Sequence, residues 1–182
     1  MRIECYRILS HRRPACVRGY AERIARAYYE RRGYIVWRGG FVNANRKERY
    51  PAIKKKYDRL EKIIRTHYPE RFEHLSYLCT QSGMPDLLIW NGRILTFVEA
   101  KLDYEPIAQH QKRCMIKLGR LGFSVRIVRI VSRATRRRTS ILDLESGTEE
   151  ERERQTRMIE FRHGPQRMRQ KRTNQKYDEK RP

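Results

Sequence analysis

Two acidic side chains and a lysine lie at the ends of two apolar segments. Asp86 directly precedes the run 87–90, and Glu99 and Lys101 close the run 94–101. Carboxylate oxygens are the ligands that hard cations such as Mg²⁺ prefer. The second run is apolar on both faces, as is typical of a strand inside a sheet, where charged groups are costly unless paired or metal-bound. These residues predict a cation site, and the alternative is an ordinary Glu99–Lys101 ion pair.

The two apolar runs predict a β-hairpin that places the two carboxylates on one face. Asn91-Gly92 is a strong signal for a two-residue turn. In that register Asp86 lies opposite Phe97 and diagonal to Glu99, with Cα atoms roughly 7–8 Å apart at most. Because side chains alternate along a strand, Asp86, Glu99 and Lys101 share one face. Two carboxylates at that distance can ligate one cation.

Gln111 is a further candidate, on a helix predicted to run from Pro106 to about Leu121. It falls on the apolar stripe of that helix, so its amide faces inward and needs hydrogen-bond partners. Such an amide could belong to the carboxylate site. The alternative is a core glutamine bonded to the backbone.

The elements that position these residues alternate between helix and strand. The pattern predicts a small mixed central sheet flanked by helices, built from a helix at 16–32, a strand at 34–37, the hairpin, the helix at 106–121 and a strand at 124–131. The polar segment 41–82, with a helix over about 51–66, is interpreted as a basic surface insertion. We expect one domain over 1–131 and a basic, partly helical or disordered extension over 132–182, with a charged helical stretch around 148–161.

The charge of the chain indicates a polyanionic partner. Its 182 residues contain 43 Lys and Arg against 21 Asp and Glu, a formal charge of +22. Such an excess costs folding stability through self-repulsion, so it usually marks a partner such as nucleic acid.

The sequence also excludes several classes of protein. No run approaches the roughly 20 apolar residues of a membrane helix, and the N-terminus lacks a secretory signal pattern. We expect an intracellular protein, in the cytoplasm or in a eukaryotic nucleus, with no membrane partner. The four cysteines have neither zinc-finger spacing nor the context of a disulfide framework, so neither is expected.

Four spaced elements resemble a known nuclease superfamily. Gly83-Met-Pro-Asp86 followed by Glu99-Ala-Lys101 resembles the PD-(D/E)XK nucleases. The patterns G-x-P-D-L-x-x-W and F-V-E-x-K are similar to the VRR-NUC branch, in which a glutamine follows the lysine by ten positions, as Gln111 does. The segment with Glu22-Arg23 and Gly33–Val36 is similar to archaeal Holliday junction resolvases of that superfamily. The resemblance covers 19–131 without 41–82, and implies a restriction-endonuclease-like αβββαβ core.

The resemblance implies phosphodiester hydrolysis with Mg²⁺ or Mn²⁺. Asp86, Glu99 and the backbone carbonyl of Ala100 would hold the metal, and Lys101 would orient the attacking water. Gln111 would position that lysine or a phosphate oxygen. The family pattern also places Glu22 near the catalytic face, whereas its position on the helical wheel fits a solvated surface glutamate equally well.

The substrate implied is DNA, most simply branched DNA cut by a homodimer during recombination or repair. Two basic runs could contact phosphates without reading bases: Lys54, Lys55 and Lys56, and Arg136, Arg137 and Arg138. One alternative is a homing or restriction-type endonuclease whose 41–82 segment reads sequence. Another is a non-catalytic nucleic-acid-binding protein on a nuclease fold.

Overall fold

In its described part the protein is a mixed β-sheet with helices on both faces. The computed structural model describes residues 1–10, 18–38, 51–103, 105–132 and 139–152. Its strands follow the spatial order β2-β3-β4-β5-β1-β6-β7: β1 (Arg2–Leu9), β2 (Ile35–Arg38), β3 (Leu87–Trp90), β4 (Leu95–Leu102), β5 (Ser124–Val131), β6 (Thr139–Asp143) and β7 (Glu149–Arg152). The described helices are α1 (Tyr20–Glu30), α2 (Pro51–His67), α3 (Phe72–Leu78) and α4 (Gln109–Arg120), with a 3₁₀ turn at Pro69–Arg71.

The predicted mixed α/β fold is confirmed. Elements α1, β2, β3, β4, α4 and β5 occur in the order that the αβββαβ pattern requires, with α2 and α3 inserted between β2 and β3. Strand β4 lies inside the sheet, because it pairs antiparallel with β3 and parallel with β5. Strand β1 had no counterpart in the prediction. It pairs parallel with β5 on the other side.

Apolar side chains of β4 alternate between two cores, one on each face of the sheet. Val98 and Ala100 pack under α1, whereas Leu95 and Phe97 pack under α2, α3 and α4. These residues are at most 5% exposed. Burial on both faces explains the continuous apolar run of this strand.

The interpretation of 41–82 as a surface insertion is wrong for its described part. Helices α2 and α3 cover one face of the sheet with a helical stripe of buried residues: Tyr57, Leu60, Ile64, Phe72, Leu75 and Leu78. The basic residues between them lie on the outer side of the helices, so the segment is amphipathic rather than polar throughout.

The predicted helical stretch at 148–161 is also wrong where the structure describes it. Residues 149–152 form strand β7, which pairs antiparallel with β6, and β6 pairs antiparallel with β1. The sheet therefore continues past residue 131, where we expected the first domain to end. Residues 153–182 lie outside the described part.

The hairpin forms, but its register differs from the prediction by two residues. The Asn91 side-chain oxygen accepts hydrogen bonds from the backbone N–H groups of Arg93 at 2.9 Å and Ile94 at 2.8 Å. These two groups are thereby kept out of the ladder, and Trp90 pairs with Leu95. A shift of two residues leaves every side chain on its predicted face.

None of the helices within the described ranges is long and apolar enough to cross a membrane.

Candidate active site

The corrected register brings the two carboxylates closer than predicted. Leu87 pairs with Val98, so Asp86, just before β3, lies opposite Glu99 rather than diagonal to it. Glu99 is fully buried near the end of β4, and Lys101 is 15% exposed. Both lie on the face covered by α4. The site is therefore where a strand start, a strand end and a helix meet.

The two oxygens of Glu99 have different surroundings. Oε1 lies 2.9 Å from the ammonium of Lys101 and accepts a hydrogen bond of 2.6 Å from the Gln111 amide. Oε2 is buried and has no hydrogen-bond partner among the described residues. A buried carboxylate oxygen without a partner costs roughly 1–3 kcal/mol or more. A ligand bound to Oε2 would remove that cost.

Asp86 is held at the edge of β4 by the backbone. Its Oδ2 accepts a hydrogen bond of 2.9 Å from the N–H of Ala100. In an extended strand the N–H and C=O of one residue point to the same edge. The carbonyl of Ala100 therefore lies on the Asp86 side, where β3 has not yet begun.

Burial and mutual proximity disfavour the charged forms of the Asp86 and Glu99 carboxyls. Burial raises the pKa of Glu99, and the negative charge of Asp86 raises it further. Burial also raises the pKa of Asp86, with the charges of Glu22 and Glu105 adding to it. Lys101 acts in the opposite direction on both. A cation between the carboxylates would remove much of this cost.

The donor set fits a hard divalent cation. Asp86, Oε2 of Glu99 and the carbonyl of Ala100 are all oxygen donors, the type that Mg²⁺ and Mn²⁺ prefer. Within the described ranges no group of three or more His, Cys, Asp or Glu side chains is arranged to hold a metal. Mg²⁺ characteristically uses one or two carboxylates and completes its shell with water and phosphate.

Gln111 contacts Glu99, not Lys101 or open space. Helix α4 begins at Gln109, three residues later than predicted, with Ala108 as its N-cap. The side-chain oxygen of Gln111 accepts from the backbone N–H of Ala108 at 3.0 Å, while its NH₂ donates to Glu99. Both ends of the amide are therefore fixed, and Gln111 sets the orientation of Glu99.

Gly83 permits the close approach of the Asp86 loop to this helix. Its φ is +93°, and an added Cβ would lie 2.6 Å from the backbone oxygen of His110. Any side chain there would push apart the loop that carries Asp86 and the first turn that carries Gln111. The close packing of this loop against α4 therefore explains why the G-x-P-D pattern has a glycine here.

Gly83→Ala is expected to lower the cleavage rate even under conditions in which the variant is fully folded. Gly92→Ala is a matched control, because Gly92 also has φ +93° but nothing within 4 Å of an added Cβ. Both variants should lose on the order of 1–3 kcal/mol from backbone strain. Only Gly83→Ala should also lose cleavage under conditions in which both are folded, as checked by thermal melts and initial rates. Equal behaviour of the two variants would contradict a role of the close approach.

Arg129 is a residue that the sequence analysis missed. It lies beside Lys101 in the parallel β4–β5 register, and one guanidinium nitrogen donates to the backbone oxygens of Asp103 and Glu105, each at 3.0 Å. It ties down the loop that follows Lys101. The sequence feature that could have identified it is an arginine within the apolar run of β5.

Glu22 lies near the site but on the other side of the sheet. Helix α1 packs against the face opposite Glu99, and Glu22 is half-buried. Its charge contributes to the raised pKa of Asp86. The structure therefore brings it within electrostatic range of Asp86, without a contact to Glu99.

The basic runs are only partly within the described residues. Lys54 and Lys55 are exposed on α2, and Lys54 lies 4.0 Å from Asp58. Lys56 is half-buried; burial and the nearby charge of Arg26 lower its pKa. Arg136, Arg137 and Arg138 lie outside the described residues.

Comparison with known families supports the motif assignment. The family model of the VRR-NUC domain matches residues 40–132, slightly more than half of the chain. The match includes α2 and α3, which agrees with their place in the core, and it leaves out α1 with Glu22. No curated protein matches the chain at a significant level.

Proposed function

The chain belongs to the VRR-NUC family of the PD-(D/E)XK nuclease superfamily, and from this we propose that it is a metal-dependent endonuclease selective for branched DNA. Family membership makes it a nuclease, with DNA as the implied substrate. The observation that carries the metal dependence is the Glu99 carboxylate. One of its oxygens is held by Lys101 and Gln111, while the other is buried beside Asp86 without a partner among the described residues.

In the proposed reaction the acidic residues hold the ion and Lys101 acts on the reacting groups. A bound Mg²⁺ or Mn²⁺ would lower the pKa of a water molecule and neutralise charge that develops on the phosphate. Lys101 has three N–H donors, and Glu99 accepts from one. The remaining two can orient the attacking water and a phosphate oxygen. Gln111 is a positioning residue, because it touches Glu99 and not the reacting atoms.

Selectivity for branched DNA is proposed from charge and from the resemblance of the first helix and strand to junction resolvases. A formal charge of +22 favours binding to phosphates, which does not depend on the base sequence. The described helices pack their apolar faces on the sheet. Two incisions on a two-fold junction need two active sites in fixed relation, so we propose a symmetric homodimer.

A cleavage assay on three DNA substrates of shared sequence tests the proposal. A four-way junction, the matched duplex and the single strand are incubated with Mg²⁺, with Mn²⁺ or with EDTA. We expect paired symmetric cuts on the junction, slower cutting of duplex, and no cutting in EDTA. Sedimentation at moderate salt should give a dimer.

The other outcomes identify the alternatives. Cutting at one duplex sequence would indicate a homing or restriction-type enzyme, and binding without cutting would indicate a non-catalytic protein. A monomer that nicks junction and duplex equally would leave only a general nuclease.

A further inference from the structure

A second concave site lies on the face of the sheet opposite Glu99. It is a cavity of about 160 Å³ between the end of α1 and strands β1 and β5. Arg126 and Val128 of β5 line it, and they pair with Val98 and Ala100, the β4 residues that face α1. The cavity is therefore separated from the carboxylate site by the thickness of the sheet.

Tyrosines and arginines dominate the lining. Its principal residues are Tyr6, Tyr28, Tyr29, Tyr34, Arg32 and Arg126. The tyrosine rings meet edge to face, with centroids 5.2 Å apart for Tyr28–Tyr29 and 5.3 Å for Tyr29–Tyr34. The volume resembles the roughly 150 Å³ of an engineered cavity that takes a benzene ring. The cavity can therefore accept one planar ring.

The two arginines lie at ring faces and retain donors for an anion. The guanidinium of Arg32 lies 3.9 Å from the ring centroid of Tyr28, and that of Arg126 lies 5.3 Å from the centroid of Tyr6. Arg32 is exposed. Stacking on a ring leaves the N–H edge of a guanidinium free to bind phosphate in a forked geometry.

One N–H donor of Arg126, at Nε, is unsatisfied within the described ranges. This arginine is on a strand that is paired on both sides, and its side chain is 30% exposed. Its Nε is buried without a hydrogen-bond partner in the described part of the chain. The carboxylate of Glu4 lies 3.7 Å from that Nε, but the Glu4 side chain is 53% exposed and also accepts from the hydroxyl of Tyr6. An anion in the cavity would complete the environment of Arg126.

We propose that this cavity binds a single nucleotide, with its base against the tyrosine rings and its phosphate on Arg126 and Arg32. Aromatic faces accept any base, because every base has a π-face. The nucleotide has two possible sources: an unpaired nucleotide of a DNA strand, or a free mononucleotide. The site is distinct from the carboxylate centre, so the proposal holds whether or not cleavage needs a metal or a junction.

Binding measured in EDTA separates this site from cleavage. The probes are a labelled blunt duplex, the same duplex with one unpaired 5′-phosphorylated adenine, and free dAMP. The wild type is expected to bind the overhang duplex about tenfold more tightly than the blunt one, the size of a charge-assisted hydrogen bond. Arg32→Gln and Arg126→Gln should each abolish that preference.

Two further variants test the effect of charge and the competition for Arg126. Arg31→Gln removes the same charge from the exposed neighbour of Arg32, and should weaken binding to both duplexes equally. Glu4→Gln removes the carboxylate that competes for Arg126, and should tighten binding several-fold. Because Arg32 is exposed, its variant keeps the test valid if Arg126→Gln fails to fold.

The pattern of results identifies the source or overturns the proposal. An overhang preference that the two pocket variants lose assigns the cavity to an unpaired DNA nucleotide. Binding of dAMP that the same variants lose, without an overhang preference, assigns it to a free nucleotide. If neither probe distinguishes Arg32→Gln from Arg31→Gln, the proposal is wrong. Because these measurements are of binding in EDTA, a negative result in the separate cleavage assay would bear on the proposed function alone.

Discussion

Lys101→Ala should lower the cleavage rate by at least about 100-fold, the effect of removing one aligned electrostatic group, while DNA affinity stays within about twofold. Lys101 is only 15% exposed and lies 2.9 Å from Glu99, so it is placed for the chemistry rather than for long-range attraction. It is also one of 43 basic residues. The measurements are single-turnover rates with Mg²⁺ and binding in EDTA.

A control variant tests whether loss of any lysine charge on α4 has the same effect as Lys101→Ala. A metal titration tests whether Lys101→Ala acts by weakening metal binding. Lys117→Ala removes an exposed lysine of α4 that bonds Gln81, and it should leave cleavage unchanged. In Lys101→Ala the metal concentration for half-maximal activity should stay the same or fall, because a positive charge beside the metal is lost. Equal losses of binding and cleavage would contradict the assigned role.

The carboxylate face was predictable because it depends on alternation along the strands, whereas register depends on the turn. The Asn91 side chain satisfies two backbone N–H groups and lengthens the loop by two residues. That choice is local hydrogen bonding, which the Asn-Gly signal does not specify. Because the error was an even number of residues, Asp86 and Glu99 stayed together.

Composition is a poor guide to burial where charged residues cover one side of an element. Helix α2 contains Lys54, Lys55 and Lys56, yet Tyr57, Leu60 and Ile64 form a buried stripe at helical spacing. Averaging the charge over 41–82 concealed that period. Strand β7 is the harder case: its residues are charged, and pairing with β6 overrides their local preference.

The contact of Gln111 with Glu99 could be anticipated only in part. The helical wheel placed the amide inward, but its partner depends on how closely α4 approaches β4. That approach is set by Gly83, whose neighbours come from a helix 26 residues further along the chain. Long-range packing of this kind is not readable from one sequence.

Asp86→Asn should abolish metal-dependent cleavage and, at the same time, stabilise the metal-free protein at alkaline pH. The burial and mutual repulsion of Asp86 and Glu99 raise both pKa values. The folded protein therefore binds more protons than the unfolded chain, and its stability falls as pH rises from about 4, where such carboxyls ordinarily titrate. Asparagine keeps the shape and can still accept from the N–H of Ala100.

The expected gain at pH 8 in EDTA is on the order of 1–2 kcal/mol, because one pKa unit corresponds to about 1.4 kcal/mol. In a protein of this size, that shifts the melting temperature by roughly 2–8 °C. The gain should vanish at pH 4. Adding Mg²⁺ at pH 8 should raise the melting temperature of the wild type but not of the variant.

Asp58→Asn is the matched control, since Asp58 is a 52% exposed aspartate on α2. It removes the same charge from this strongly basic chain without touching the Glu99 pair. Its melting temperature should stay flat or fall slightly at both pH values, because the net positive charge increases. A stabilisation at pH 8 that Asp58→Asn reproduces would mean that general charge is responsible. Retained Mg²⁺-dependent turnover in Asp86→Asn would mean that the catalytic metal is held elsewhere.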